Sequence, residues 1–142
     1  MLYPGVRALN PIVLGAAVSQ VVLPPWEDCA GAKYVAAYVD FFRTSGNGPL
    51  DVWLQTTLNA GQVRLASGSN IGWFDIAHFQ FTTATAHKMK AIIAKEQASD
   101  LTPAAFTLSG GAIVGVLGDR FRFAYSQTGS YGAQFQPWIV VS

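Results

Sequence analysis

The chain has 142 residues and a single cysteine, Cys29. One cysteine excludes an intramolecular disulfide and any cysteine-built zinc site, so the fold has to stand on packing. Charge is scarce too. Asp, Glu, Lys and Arg make up 12% of the residues, with a net charge of +1, against about 25% in ordinary soluble domains. Nucleic-acid binders carry a basic stripe; here the nine basic residues are scattered, and no nucleic-acid partner is expected. No apolar run reaches the ~20 residues that a spanning helix needs, so no membrane is expected. Residues 12–23 are apolar but interrupted by Gln20, closed by Pro24 and Pro25, and preceded only by Arg7. That is a poor signal peptide. A convincing long amphipathic helix is missing as well.

The groups that carry chemistry are equally sparse. The eight carboxylates are isolated, and nothing selects two of them as the fixed pair a glycosidase requires. Gly110-Gly111 lacks the following lysine of a phosphate-binding loop. Cys29 has no evident histidine base beside it and reads as a small buried hydrophobe. His78, His87 and Asp75 lie on neighbouring predicted strands. Strict alternation, however, puts His78 and Asp75 on opposite faces of theirs, so they read as surface or hydrogen-bonded residues rather than metal ligands. No enzyme activity, cofactor or metal is expected.

What the chain does have is apolar and aromatic mass: 51% hydrophobic residues, with nine Phe, five Tyr and four Trp. A chain of this length forms one domain and buries roughly two-thirds of its unfolded surface. With so little charge it must bury nearly everything or expose apolar surface, and exposed apolar surface marks contact with other proteins.

Period-two patterns recur along the chain. Residues 33–43 place Val35, Ala37, Val39 and Phe41 on one side and Tyr34, Ala36, Tyr38, Asp40 and Phe42 on the other. Both faces are largely apolar, as in a strand covered on both sides. Residues 51–58, 73–81, 86–94 and 119–126 alternate in the same way, although 86–94 also has short-helix spacing. Short strands are predicted at 17–23 and 105–108, and a long polar connection at 59–70. The last strand, 133–141, contains Pro137, which cannot donate to a ladder and so predicts an edge strand or a bulge. Seven or eight short strands separated by Gly- and Ser-rich turns predict an all-β antiparallel sandwich or barrel. It is expected over residues 33–142, preceded by an extended N-terminal arm with a first short strand over residues 1–32.

That arm holds Pro4, Pro11, Pro24 and Pro25, yet Leu2, Tyr3, Val6, Leu9, Ile12 and Val13 are too apolar for a typical disordered tail. They are expected to dock on a neighbouring subunit, and loss of residues 1–16 is expected to leave the sandwich folded. Arg120 and Arg122 flank Phe121 on one outward strand face, suited to interface ion pairs or aromatic stacking. Trp53 and Trp138 also fall opposite the predicted core face, as contact anchors or as core.

Leu50-Asp51-Val52-Trp53-Leu54-Gln55-Thr56, a loop, then Trp73-Phe74-Asp75-Ile76-Ala77-His78-Phe79 resembles a pattern in small virion proteins of tailed bacteriophages. Gly118-Asp119-Arg120-Phe121-Arg122-Phe123, followed by a Gly-rich turn and an apolar strand, resembles their ending. The resemblance covers residues 33–142. It implies a β-sandwich or jelly-roll-like core and a non-catalytic head-decoration (cement) protein. Such a protein is made in the host cytoplasm and sits on the capsid exterior, often as a homotrimer, bracing neighbouring major capsid protein subunits. A neck or tail component is the alternative within that class. A carbohydrate-binding sandwich, suggested by Trp53, Trp73 and Trp138, is the alternative outside it.

Overall fold

The computed structural model describes residues 4–58, 72–82, 85–95, 99–100, 103–111 and 113–142. Among the described residues the strands are β1 (Gly5–Ala8), β2 (Ile12–Leu14), β3 (Val18–Val22), β4 (Tyr34–Ser45), β5 (Leu50–Thr57), β6 (Trp73–Phe81), β7 (Ala86–Ile93), β8 (Arg120–Gln127) and β9 (Gly132–Val141). They form two antiparallel sheets packed face to face, an all-β sandwich. Sheet A runs β1-β9-β4-β7, with β2 also on β9; sheet B runs β3-β8-β5-β6.

Alternation does the sorting. Val35, Ala37, Val39 and Phe41 of β4 and Phe135, Ile139 and Val141 of β9 turn inward from sheet A, while Leu50, Val52 and Leu54, Phe79 and Phe81, and Phe121 and Phe123 turn inward from sheet B. All are almost fully buried. Each Val, Leu, Ile and Phe among them contributes about 1.5–3 kcal/mol by leaving water. Aromatic pairs bridge the layers: Phe41 stacks on Phe81 with ring centroids 5.1 Å apart, and Tyr125 meets Phe135 edge-on at 5.0 Å. Among the described residues no further layer lies over the outward side of β4; Tyr34, Ala36, Tyr38 and Asp40 are half-buried and Phe42 is 50% exposed.

Residues 86–94, ambiguous in sequence, form strand β7, which pairs along β4 from Tyr34↔Ile93 to Phe41↔Ala86. Its inward positions include Lys88 and Lys90. At the side of the sandwich these lysines reach across to the β6 edge, where their ammonium groups donate to the carbonyls of Gln80 and His78. Burial, then the neighbouring Lys88 charge, lowers the Lys90 pKa below its ordinary value. Inward lysines of this kind discourage edge-to-edge pairing.

Three expectations are corrected. First, β9 is not an edge strand: it lies between β4 on one side and β1 and β2 on the other. The reciprocal bonds between Tyr34 and Ser142 point the amides of even-numbered β9 residues toward β4. The Pro137 nitrogen therefore faces the opposite side, where β1 has ended at Ala8↔Trp138 and β2 begins at Ile12↔Phe135. The proline occupies the one break in the ladder where no amide is wanted. Second, no strand forms at residues 105–108; the chain bends at 105–106. Third, residues 5–22 do not project as a free arm. β1 and β2 pair with β9, β3 pairs with β8, Leu14 is 5% exposed, and Ile12 packs on the core. The predicted connection at 59–70 lies outside the described residues.

Two glycines are required by close approach. A Cβ at Gly48 (φ +142°) would lie 2.4 Å from the Thr128 carbonyl oxygen, and one at Gly118 would lie 1.9 Å from that of Thr57. Gly118 brings the chain alongside β5, where its amide donates to Thr56 Oγ1 at 3.0 Å.

Removal of residues 1–16 takes away two strands and the buried Leu14. Chemical denaturation of the truncated chain should show a loss of about 3 kcal/mol or more. Unchanged stability would mean that this pairing contributes nothing to the fold.

Candidate functional site

The outer faces of the two sheets differ in kind. On sheet B, β5 and β6 keep regular register from Leu50↔Phe81 to Leu54↔Ala77, and then the register shifts so that Gln55 pairs with Asp75. The extra residue, Ile76, is a β-bulge. It resets the alternation, so Asp75 and His78 both face outward, on the same side as Trp53 and Gln55. The strict parity that separated them does not hold.

Both residues bind the segment 103–111. Asp75 Oδ1 accepts from the Phe106 amide at 3.0 Å, and Oδ2 from the amides of Thr107 and Leu108 at 2.8 and 3.0 Å. Phe106 adopts the left-handed conformation (φ 63°), which turns successive amides inward as an anion-binding nest. Gln55 Nε2 donates a fourth bond to Asp75 Oδ1 at 2.9 Å, and Arg122 Nε donates to Gln55 Oε1 at 2.8 Å. The Arg122 guanidinium lies 4.2 Å from the Trp73 ring centroid. Burial lowers the Arg122 pKa to about 10, opposed by the Asp75 charge, so the side chain stays cationic at neutral pH. Nearby, His78 Nε2 meets Asp51 Oδ1 at 2.8 Å, and His78 Nδ1 accepts from the Gly110 amide at 3.0 Å. Trp53 donates its indole N–H to the Leu108 carbonyl at 3.0 Å, and Phe106 packs edge-on against its ring.

This cluster has the residue types of an active site but not its freedom. The Asp75 carboxylate is saturated by four donors, and both ring nitrogens of His78 are engaged. The arrangement pins a loop over sheet B. Beside it, Leu58, Phe74, Pro103, Leu108, Val114 and Val116 line a largely apolar cavity of about 380 Å³. Among the described residues no group of three or more His, Cys, Asp or Glu could hold a metal ion.

Sheet A presents the other surface. From the pairings, its outward side carries Val6 and Ala8 of β1, Val13 of β2, Tyr34, Ala36, Tyr38, Asp40 and Phe42 of β4, His87, Met89, Ala91 and Ile93 of β7, and Gln134, Gln136, Trp138 and Val140 of β9. Five of the nine large apolar residues exposed among the described residues lie here: Val6 (69%), Val13 (81%), Phe42 (50%), Met89 (71%) and Ile93 (67%). Tyr38 and Trp138 stack with centroids 4.3 Å apart. Among the described residues of this face the one permanent charge is Asp40, and it is bonded to His87.

The residues singled out from sequence divide between the two faces. Val6, Val13 and the half-buried Trp138 stand on the open face of sheet A. Leu9 is half-buried, its amide donating to the Pro137 carbonyl at 3.3 Å, and Ile12 turns toward the core. Trp53 and Arg122 are 7% and 6% exposed and are used within the chain. Arg120 pairs with Glu27 at 3.0 Å. Leu2 and Tyr3 lie outside the described residues. Trp53 and Trp73 belong to sheet B and Trp138 to sheet A, so the three tryptophans form no common platform. Cys29 is fully buried. Sequence reasoning missed Tyr34, Tyr38, Met89 and Ile93 as surface residues, although their parity with Phe42 or His87 was available.

Asp75→Asn turns part of an acceptor toward amide donors. It should cost about 3 kcal/mol in chemical denaturation and open the 103–111 loop to limited proteolysis. Asp40→Asn, on the exposed face, should change stability by less than about 0.5 kcal/mol. The chain matches no protein-family model, no curated protein and no solved structure.

Proposed function

We propose that this chain is a non-catalytic structural protein whose task is to pack against other subunits through the outer face of sheet A. In the setting suggested by the sequence resemblance, it is a decoration protein on the exterior of a tailed-phage capsid. There it braces neighbouring major capsid subunits and meets copies of itself. The observation that carries the reading is the contrast between the two outer faces. Over β5 and β6, sheet B is covered by residues 103–111, which satisfy Asp75 and His78 and bond the Trp53 indole. Sheet A leaves an apolar, aromatic-bearing surface in water, with its single carboxylate paired. Exposed apolar residues clustered on one face mark contact with protein, and aromatic and methionine side chains are enriched at such contacts. Saturation of Asp75 and His78 supports a structural role for the polar cluster. The phage setting itself rests on the two β-strand motifs and the Gly118–Phe123 ending.

Two measurements test this. Imaging of purified particles should find the protein distributed over the head lattice; confinement to the neck, tail or one vertex would replace decoration with a tail or neck role. A Val6→Glu/Met89→Glu variant should fold with nearly native stability, because both side chains already face water. It should also lose at least tenfold in particle occupancy, or about 1.4 kcal/mol of binding. Full occupancy by a folded variant would exclude this face as the contact.

A further inference from the structure

We propose that His78 is an acid-released latch for the loop 103–111. The geometry fixes its resting state. The Gly110 amide donates to Nδ1, so that nitrogen carries a lone pair. The ring proton therefore sits on Nε2 and is donated to Asp51 Oδ1, 2.8 Å away. In this tautomer both ring nitrogens are used, one holding the loop and the other holding β5.

A second proton has one place to go, Nδ1. Once bound there it faces the Gly110 N–H, donor against donor, and the loop bond is lost. The ring has little room to turn away: His78 is 4% exposed, and its ring lies 5.3 Å from that of Trp53. Charged groups face the ring from each neighbouring strand. Asp51 of β5 meets the imidazole directly. Lys90 of β7 is bonded to the His78 carbonyl. On its own strand Asp75 is occupied by the loop amides and Gln55, with Arg122 of β8 beyond it, and Gln80 donates to the same Asp51 oxygen at 3.1 Å. With Nε2 already bonded to Asp51, the cost of a proton on Nδ1 falls on Gly110.

The consequence is local. Asp75 still holds residues 106–108, while the tip at Gly110 is freed. Trp53 shares this part of the loop through its bond to Leu108, so acid loosens the cover over an aromatic on the outer face of sheet B. His87 has no such role, because it lies on the outer face of sheet A against Asp40 and Tyr38.

Amide exchange and imidazole titration, followed by NMR on the full chain between about pH 7.5 and 5, test the latch. Protection of the Gly110 amide, corrected for intrinsic exchange, should fall at least about fivefold and track the one-proton titration of the His78 ring. In His78→Asn, whose Oδ1 can take the place of Nδ1 without titrating, protection should stay constant; His87→Asn should behave as the native chain. Flat protection in the native chain, or an equal loss in His78→Asn, would overturn the proposal. Should His78→Asn not fold, native-chain curves for Gly110 and the His78 ring with different midpoints would overturn it equally.

Discussion

A carboxylate taken out of water must be given donors, and the donors that Asp75 finds decide which face of this sandwich is closed. The side chain is 4% exposed and accepts three successive loop amides and the Gln55 amide. Isolated in an apolar environment, such a charge would cost several kcal/mol. Here the cost is offset by a left-handed turn at Phe106 that aims the amides inward and by a relay through Gln55 to Arg122. The relay needs Asp75 to stand opposite Gln55, which only the bulge at Ile76 permits. One extra residue in β6 thus underlies the loop and the burial of Trp53. It also places Asp75 on the face that His78 shares.

The asymmetry of the two sheets follows. Between β7 of sheet A and β8 of sheet B, residues 103–111 lie over the outer side of β5 and β6. Sheet A receives β1 and β2 instead. They extend its width by pairing with β9 but lay nothing across its face. The same N-terminal residues that look like an unattached apolar arm therefore enlarge the surface left open, contributing Val6 and Val13 to it. An extended segment gains more by completing the β9 ladder of its own chain, with no association entropy to overcome, than by waiting for a neighbour's edge.

The strands were legible in the sequence because alternation is a local property: β4, β5, β6, β8 and β9 all fall where their inward Val, Leu, Ile and Phe residues repeat at period two. The site was less legible because it depends on departures from that period. No residue type announces the bulge at Ile76, so Asp75 and His78 were assigned to opposite faces. Pro137 reads as the mark of an edge strand or a bulge because a single strand does not reveal that its neighbour is interrupted at that position. The loop 103–111 has the apolar content of a strand at Ala105–Leu108, but its amides are bonded to a carboxylate distant in sequence, a competition no local pattern records. Tyr34 and Tyr38 were legible in parity and illegible in exposure, since an apolar outer face reads the same whether another layer of the same chain covers it or not.

The low charge content acquires a physical meaning in this arrangement. Several of the chain's charged groups are committed to holding the sandwich together: Asp75 and Arg122 across sheet B, Asp51 to His78, and Lys88 and Lys90 over the open side between β7 and β6. Arg43 is held over the Tyr131 ring, its guanidinium carbon 4.3 Å from the centroid. A surface built for solubility alone would spread charge over both outer faces. This one leaves sheet A with a single carboxylate, already bonded, so association through that face strips water from apolar side chains and from almost no unpaired ion. Desolvating an unpaired charge is the term that most often prevents apolar burial from becoming affinity. Its near absence from the outer face of sheet A removes that obstacle from the contact proposed for it.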